Sequence, residues 1–392
     1  MLINYYLPGY KTGGPVRSIS NLVEWLGDEI EFLILTADHD AGMSDPYPNI
    51  RSGVWNQVGK AKVRYLTREE LKVSRFSQII NAIKFDLFYI DSLLASTSIR
   101  ALILRRFAML LDKPIILSPR GHLGAGALRQ KWVKKYSFLI VARFLRLYAR
   151  LNWHATSEQE KREIIHNFGQ ETAHRISVAP NLPIPGAQHI TETRPSKRSN
   201  SLRIVFLSRI SRKKNLHFAI ESMQGLKGRI DFDIYGPLED EDYWKECQES
   251  IKKLPVNVNV QYRGTVSFDH VTNVLSQYHL FYLPTLHENY GHVIFEALSA
   301  GCPVLISDQT PWKDLEIYGA GWAVPLADIE NFKSIIDVLV SMSEDDFEAV
   351  SARVLEYVQL YLGSSPILEQ TRAMFSNAAA NLTFIFGFLP VL

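Results

Sequence analysis

The chain of 392 residues is long enough for two domains of near-equal size. With 46% hydrophobic and 21% charged residues it has ample material for a core, which excludes disordered, collagen-like and fibrous classes. Its 43 basic and 41 acidic residues leave a net charge of +2, which makes no case for nucleic acid, and its two cysteines, Cys247 and Cys302, lack the spacing of a disulfide framework or a zinc site.

The chain opens on Leu2-Ile3-Asn4-Tyr5-Tyr6 without the basic and long apolar segments of a secretory signal, so a cytoplasmic protein is expected. Short apolar runs at 2–7, 32–37, 63–66, 87–90, 114–118 and 151–156 predict buried strands, and amphipathic helical patterns lie between most of them. That alternation predicts a parallel sheet covered by helices on both faces, filling residues 1–182. The run from 136 to 153 is broken by Arg143, Arg146 and Arg150, and no transmembrane helix is expected.

Residues 183–201 (PIPGAQHITETRPSKRSNS) are rich in Pro, Ser, Thr and charge and lack apolar periodicity, which predicts a linker. The alternation restarts with strands at 203–207, 231–235, 258–262, 280–284, 303–307 and 322–325, giving a second domain over 202–375. A tail at 376–392 follows, with the N-terminal domain as one surface it can pack against. The expected architecture is α/β: two doubly wound, Rossmann-like domains facing each other across a cleft, with ligands at the carboxyl ends of both sheets.

The strongest constellation is His287-Glu288-Asn289-Tyr290-Gly291-His292-Val293-Ile294-Phe295-Glu296-Ala297, directly after the strand at 280–284. On one continuous helix the two carboxylates are about 800° apart, so their directions differ by roughly 80°. If Glu288 lies in the loop and the helix starts near Tyr290 or Gly291, both carboxylates reach the ligand side at different heights. The free N–H groups of that helix start, beside Asn289 and Gly291, then form an anion site suited to a phosphate. A second site follows the strand at 203–207, where Arg209 and Lys214 flank a tight loop. There an Arg offers a forked contact to a diphosphate and a Lys a point charge.

Arg209-x4-Lys214 followed by Glu288-x7-Glu296 resembles the retaining glycosyltransferases of the GT-B fold, family 4, also called glycosyltransferase group 1. The likeness covers most of the chain, including Gly13-Gly14 and Ala179-Pro180-Asn181, and is tighter in the C-terminal half. It implies a nucleotide diphosphate sugar as donor, with Arg209 and Lys214 on its diphosphate, Glu288 approaching the sugar and Glu296 on the ribose hydroxyls. It places the Gly13-Gly14 loop against donor and acceptor, and His122 in the cleft, orienting the transferred sugar or a hydroxyl. His122, Glu288, Arg209 and Lys214 are therefore the expected catalytic set. No metal and no further cofactor is implied, because cations and a helix terminus neutralise the leaving diphosphate.

Each feature has a plainer alternative when taken singly. Glu-x7-Glu also marks solvated helix positions, Arg209 with Lys214 an exposed basic turn, Gly13-Gly14 a tight turn, and His122 a loop histidine satisfied by backbone. His154 lies in a strand-like run and reads as structural. Ser157 and Glu160 have the spacing of a capping box, which starts a helix. His292 has no partner visible in sequence, and its role stays open.

Between Arg100 and Arg150 there are twelve cations and one acid, a net +11, so the remainder carries −9. The cations interleave with Trp132, Tyr136, Phe138, Phe144 and Tyr148, the pattern of a basic amphipathic surface lying on anionic lipid. Arg129, Lys131, Trp132, Lys134 and Lys135 are the expected membrane and acceptor surface, with a solvated helix face over plain core as the alternative. The expected protein is a peripheral enzyme on the inner face of the cytoplasmic membrane. It would move a hexose-type sugar to a lipid-linked glycan in bacterial surface polysaccharide assembly, with retention through front-face substitution. Its rivals are a nucleotide-sugar epimerase of the same build and a catalytically silent membrane-docking subunit. A dehydrogenase is disfavoured because the first βα turn lacks G-x-G-x-x-G.

Overall fold

A computed structural model describes residues 1–9, 11, 13–124, 132–184, 194–364 and 366–380. The chain divides into two compact units: Met1–Pro183 together with the chain from Pro366 onward, and Ile184–Ser365.

The first unit is built on a sheet whose strands are β1 (Phe32–Ala37), β2 (Trp55–Val58), β3 (Ala61–Leu66), β4 (Phe88–Asp91), β5 (Ile115–Ser118), β6 (Asn152–Ala155) and β7 (Ile176–Val178). Two ladders, β1-β3-β2 and β4-β5-β6-β7, are joined by the N-terminal segment. Leu2 N–H donates to Tyr89 O at 2.8 Å and Ile3 N–H to Leu35 O at 3.1 Å, so the segment is threaded between β4 and β1. The strand expected at 2–7 thus shortens to a bridge at Leu2, since the chain turns away after Asn4. The sequence pattern missed β2 because it is an antiparallel edge strand with no apolar face, paired to β3 through the two-residue loop Gly59-Lys60. Gly59, at φ 55°, supplies the positive φ that such a hairpin needs at its first central position.

Helices α1 (Gly14–Leu26), α2 (Val73–Ala82), α3 (Ser96–Arg106), α4 (Trp132–Phe144) and α5 (Glu158–Phe168) cover this sheet. In the second unit β8 (Ser201–Leu207), β9 (Arg229–Tyr235), β10 (Val258–Gly264), β11 (Leu280–Leu283), β12 (Val304–Ser307) and β13 (Gly321–Val324) are all parallel, in the order β10-β9-β8-β11-β12-β13. Counted within the unit this is 3-2-1-4-5-6, the order of dinucleotide-binding sheets. Its inner strands β11 and β12 are buried at every position, as a sheet covered on both faces requires. Its helices are α6 (Leu216–Glu221), α7 (Glu241–Ile251), α8 (Val271–Leu275), α9 (His292–Ser299), α10 (Ile329–Ser341) and α11 (Glu344–Ser364).

Two expected boundaries move. Residues 185–193 of the linker lie outside the described residues, but those that follow belong to the second unit rather than to a free connector. Arg194 donates to Ala300 O (2.5 Å), Ser276 O (3.3 Å) and Ser351 Oγ (2.8 Å), while Lys197 Nζ donates to Val340 O (3.3 Å) and Met342 O (3.1 Å). These two cations satisfy carbonyls that the ends of α9 and α10 leave without helical partners. At the other end, α12 (Ile367–Ala380) belongs to the first unit, so the second stops ten residues before the expected 375. Phe375 packs on Phe32 and Tyr89 with ring centres 6.3 and 6.1 Å away, and Arg372 holds Glu29 through both carboxylate oxygens. Of the tail expected at 376–392, residues 376–380 close α12, and 381–392 lie outside the described residues.

Candidate functional site

In a doubly wound sheet the ligand side is the carboxyl edge where the strand order reverses, which in the second unit lies between β8 and β11. The loops leaving those two strands are stitched together there. Leu286 N–H (2.9 Å) and Thr285 Oγ–H (3.1 Å) donate to Lys213 O, and the Asn215 side chain donates to Pro284 O at 3.0 Å. Asn215 itself sits at φ 58°, a left-handed conformation that Asn tolerates, and it ends the turn at the start of α6.

On its other side the β8 loop is tied to the β9 loop. Ile210 N–H donates to Pro237 O at 2.9 Å, and Ile210 O accepts from Glu239 N–H (3.2 Å) and Asp240 N–H (3.1 Å). Gly236, at φ 135°, permits this approach, because a Cβ there would overlap the Ser208 carbonyl oxygen.

This frame brings Arg209, Lys214 and Glu288 together. Glu288 lies in the loop, and α9 begins after it at His292, which realises the second of the two geometries open to the pair of carboxylates. Lys214 forms an ion pair with Glu288, both side chains being 11% exposed. Burial opposes a charged Glu288, but Lys214, then Lys213 and Arg209, outweigh it and hold its carboxyl below the ordinary range. Arg209 Nη1 is 2.7 Å from Glu239 Oε2, with both side chains more than a third exposed.

Lys213 and Glu239 complete the cluster, and neither stood out in the sequence. Burial pulls the Lys213 ammonium down, against the attraction of Glu288 and Glu239. Three cations and two carboxylates therefore line the reversal point. The cluster carries a net charge of +1, and its three cations can offer charge-assisted contacts to an anionic ligand.

Gly291 is the N-cap of α9 at φ 78°, where a Cβ would come 2.7 Å from Ile294 Cδ1. Glu296 sits one turn into α9, 6% exposed, and its charge helps raise the Tyr290 hydroxyl, which burial already pushes well up. Trp312 Nε1–H donates to Tyr290 O at 2.6 Å and fixes the loop between Asn289 and the helix.

In the first unit Gly13, at φ 65° and ψ −110°, is the N-cap of α1, and nothing lies within 4 Å of a Cβ built at Gly13 or Gly14. His122 Nδ1 accepts from Leu94 N–H at 3.3 Å, with Ser92 Oγ at 3.5 Å. His154 is buried, its Nε2–H donating to Ala179 O and its Nδ1 accepting from Tyr89, both at 2.7 Å. Desolvation holds it neutral, with its pKa down to about 3.

Ser157 caps α5 through its hydroxyl as expected, but Glu160 does not close the box. Its carboxylate instead accepts from Thr156 N–H (2.7 Å), Thr156 Oγ–H (2.8 Å) and Gly121 N–H (2.6 Å).

Of the expected basic surface, Arg129 and Lys131 lie outside the described residues, as do the side chains of Trp132 and Lys134. The rest of α4 presents Tyr136, Ile140, Val141 and Phe144 to solvent, Phe144 being 86% exposed, while Leu139 and Ala142 turn inward. Four of the twelve cations are committed internally. Arg100, Arg105 and Arg106 donate to backbone carbonyls, and Arg120 is buried against Asp91. Among the described residues no group of three or more His, Cys, Asp or Glu could hold a metal, and no helix is long and apolar enough to cross a membrane.

The family description "Glycosyl transferases group 1" matches residues 190–352, which contain Arg209, Lys214, Glu288 and Glu296. No curated protein matches the chain in sequence. Among solved structures, HepE of Anabaena in complex with UDP and glucose superposes with a TM-score of 0.70 at 16% identity, over 96% of this chain and 100% of that one. Sucrose-phosphate synthase of Thermosynechococcus elongatus gives 0.66 at 16% identity, over 94% of each chain. WaaG, a glycosyltransferase involved in lipopolysaccharide biosynthesis, gives 0.63 at 11% identity, over 96% of this chain and 97% of that one. The fold shared with these proteins is the GT-B fold, and residues 190–352 carry the likeness to the group 1 glycosyltransferases.

Proposed function

We propose that this glycosyltransferase moves a hexose-type sugar from a nucleotide diphosphate donor to a lipid-linked glycan, with retention of configuration and without a metal ion. The observation that carries the reading is the cluster of Arg209, Lys213, Lys214 and Glu288 at the reversal point of the second sheet. Fixed cations there stabilise the charge that grows on a departing diphosphate, which is the largest single contribution a protein makes to such a reaction. HepE, with UDP and glucose bound, and a second HepE structure with UDP-glucose are consistent with a nucleotide sugar on this fold.

Glu288 is held by Lys214, which suits a carboxylate that orients groups better than one free to attack as a nucleophile. In front-face substitution the anomeric C–O bond to phosphate breaks and the acceptor oxygen bonds the same face. The leaving phosphate oxygen then takes the acceptor's proton.

The lipid-linked acceptor and a peripheral, cytoplasmic location rest on α4. Its exposed Tyr136, Ile140, Val141 and Phe144 stand beside exposed Arg143, Arg146 and Arg150, a combination suited to an anionic bilayer surface. Bacterial surface polysaccharide assembly is the route that such an acceptor suggests.

The test is release of nucleoside diphosphate from UDP-glucose, UDP-galactose, UDP-N-acetylglucosamine and GDP-mannose, with EDTA present and absent. Turnover is expected to be insensitive to EDTA and reduced about 100-fold or more by Arg209→Ala or Lys214→Ala. Normal turnover in either variant would remove the cluster from the reaction. Loss on chelation, restored by magnesium, would overturn the metal-free assignment. An inverted anomer in the product would overturn retention.

A further inference from the structure

The first unit invests a buried ion pair where nothing in its sheet demands one. β4 ends at Asp91 and β5 at Ser118, paired directly across the ladder. Beyond Ser118 the chain makes two successive left-handed residues, Arg120 at φ 55° and Gly121 at φ 72°. Glycine takes that conformation freely, whereas an arginine there is uncommon and needs its surroundings to hold it. The side chain of Arg120 is 6% exposed and that of Asp91 1%.

The guanidinium spreads over three acceptors: Asp91 Oδ1 at 2.6 Å, Asn181 Oδ1 at 2.5 Å and the Tyr89 hydroxyl oxygen at 3.2 Å. Tyr89 in turn donates to His154, whose other nitrogen donates to Ala179 O, so the fan is anchored on β4, β6 and the chain beyond β7. The next residue is fixed separately, Gly121 N–H donating to the buried carboxylate of Glu160. The residue after that is His122, whose Nδ1 accepts from the Leu94 backbone. An apolar residue of similar volume would fill the space of Arg120 at equal or lower cost in stability, so the pair calls for a reason other than packing.

We infer that Arg120, clamped by Asp91 and Asn181, is a positioning residue. It sets the turn that carries His122 and holds that imidazole as the single tautomer with its proton on Nε2. The inference rests on the reading of His122 as a residue of the reacting site, and it assigns a use to Asn181 in the Ala179-Pro180-Asn181 motif. A neutral imidazole accepting at Nδ1 can only donate at Nε2, so the clamp decides which atom of His122 offers a proton to a sugar hydroxyl.

The test is nitrogen NMR of full-length protein labelled with ¹⁵N-histidine, the His122 signals being assigned by their loss in His122→Gln. Wild type is expected to give one neutral tautomer of His122. Arg120→Gln and Asn181→Ala should give two in exchange, and Arg120→Lys should recover part of the single-tautomer signal.

Asn181→Ala removes one anchor and leaves the ion pair, so it tests the inference should Arg120→Gln fail to fold. The signals of His154, buried in the first unit between Tyr89 and Ala179 O, serve as the folded-state control. A folded Asn181→Ala variant whose His122 signals match wild type would overturn the inference. If His122→Gln turned over nucleotide sugar like wild type, the reading of His122 as a reacting group would fall, while the tautomer measurement would still decide what Arg120 does.

Discussion

On the proposed reading of Arg209, Glu239 competes with a donor phosphate for that guanidinium. It neutralises Arg209 at 2.7 Å, and the backbone bonds between Ile210 and the 237–240 loop keep it there. A diphosphate that takes Arg209 must give up this pair and then face the released carboxylate. Both side chains are more than a third exposed, which places the pair in the range of about 0.2–1 kcal/mol. Removing the charge with Glu239→Gln should therefore tighten nucleoside diphosphate binding by about 1.5- to 5-fold, since ~1.4 kcal/mol corresponds to tenfold.

Calorimetric titration with UDP and with GDP measures this directly, and the gain should shrink between 0.05 and 0.5 M salt as the charge is screened. Arg209→Ala serves as the reference, because it should weaken binding whatever Glu239 does. Binding of Glu239→Gln that equals wild type would make Glu239 a bystander. Weaker binding would mean that Glu239 holds part of the ligand, and either result refutes the competition argument.

His154 and His279 are buried neutral, with desolvation holding their pKa values at about 3 and about 4 against about 6.5 unfolded. Protonation then favours the unfolded chain, so stability is full above pH 6.5 and falls by about 1.4 kcal/mol per pH unit for each histidine as pH drops towards 4. Urea midpoints at pH 7, 6 and 5 measure the slope, which His279→Gln should lessen; an unchanged slope would refute the assignment. Gly236→Ala should cost about 3 kcal/mol or more, because its Cβ overlaps Ser208 O at a φ that disfavours alanine; an unchanged urea midpoint would show that the β8 and β9 loops can part. Phe144→Asp should lower co-sedimentation with anionic vesicles and leave calorimetric UDP binding unchanged; undiminished sedimentation would show that α4 is a solvated face.

The second unit was legible because its inner strands β11 and β12 are buried on both sides. Runs such as Leu280–Leu283 and Val304–Ser307 announce themselves by apolarity alone. Edge strand β2 has no such run, and α12 follows α11 so closely in sequence that only its packing on Phe32 and Tyr89 assigns it to the first unit.

In the site, Arg209, Lys214 and Glu288 could be read from spacing because each follows a recognisable strand directly. Lys213 is hidden in a run of basic residues, and Glu239 comes from a third loop. The partner of Arg120 lies 29 residues away, at the end of another strand. Glu160 shows the limit of local rules. Its spacing from Ser157 marks a helix start, yet its carboxylate is spent on Thr156 and Gly121.

The placement of α12 has a consequence for how the protein is made. Phe32, Tyr89 and Glu29 are translated early, but the residues that cover them, Phe375 and Arg372, follow the whole second unit. At 5–20 residues per second the wait across that unit is about 10–40 s. The second unit is continuous in sequence and can finish on the ribosome, while the first is held incomplete with an aromatic face open. Nascent chains stalled short of residue 367 should therefore bind chaperones that recognise apolar surface, through a unit whose sheet is already complete in sequence by Val178.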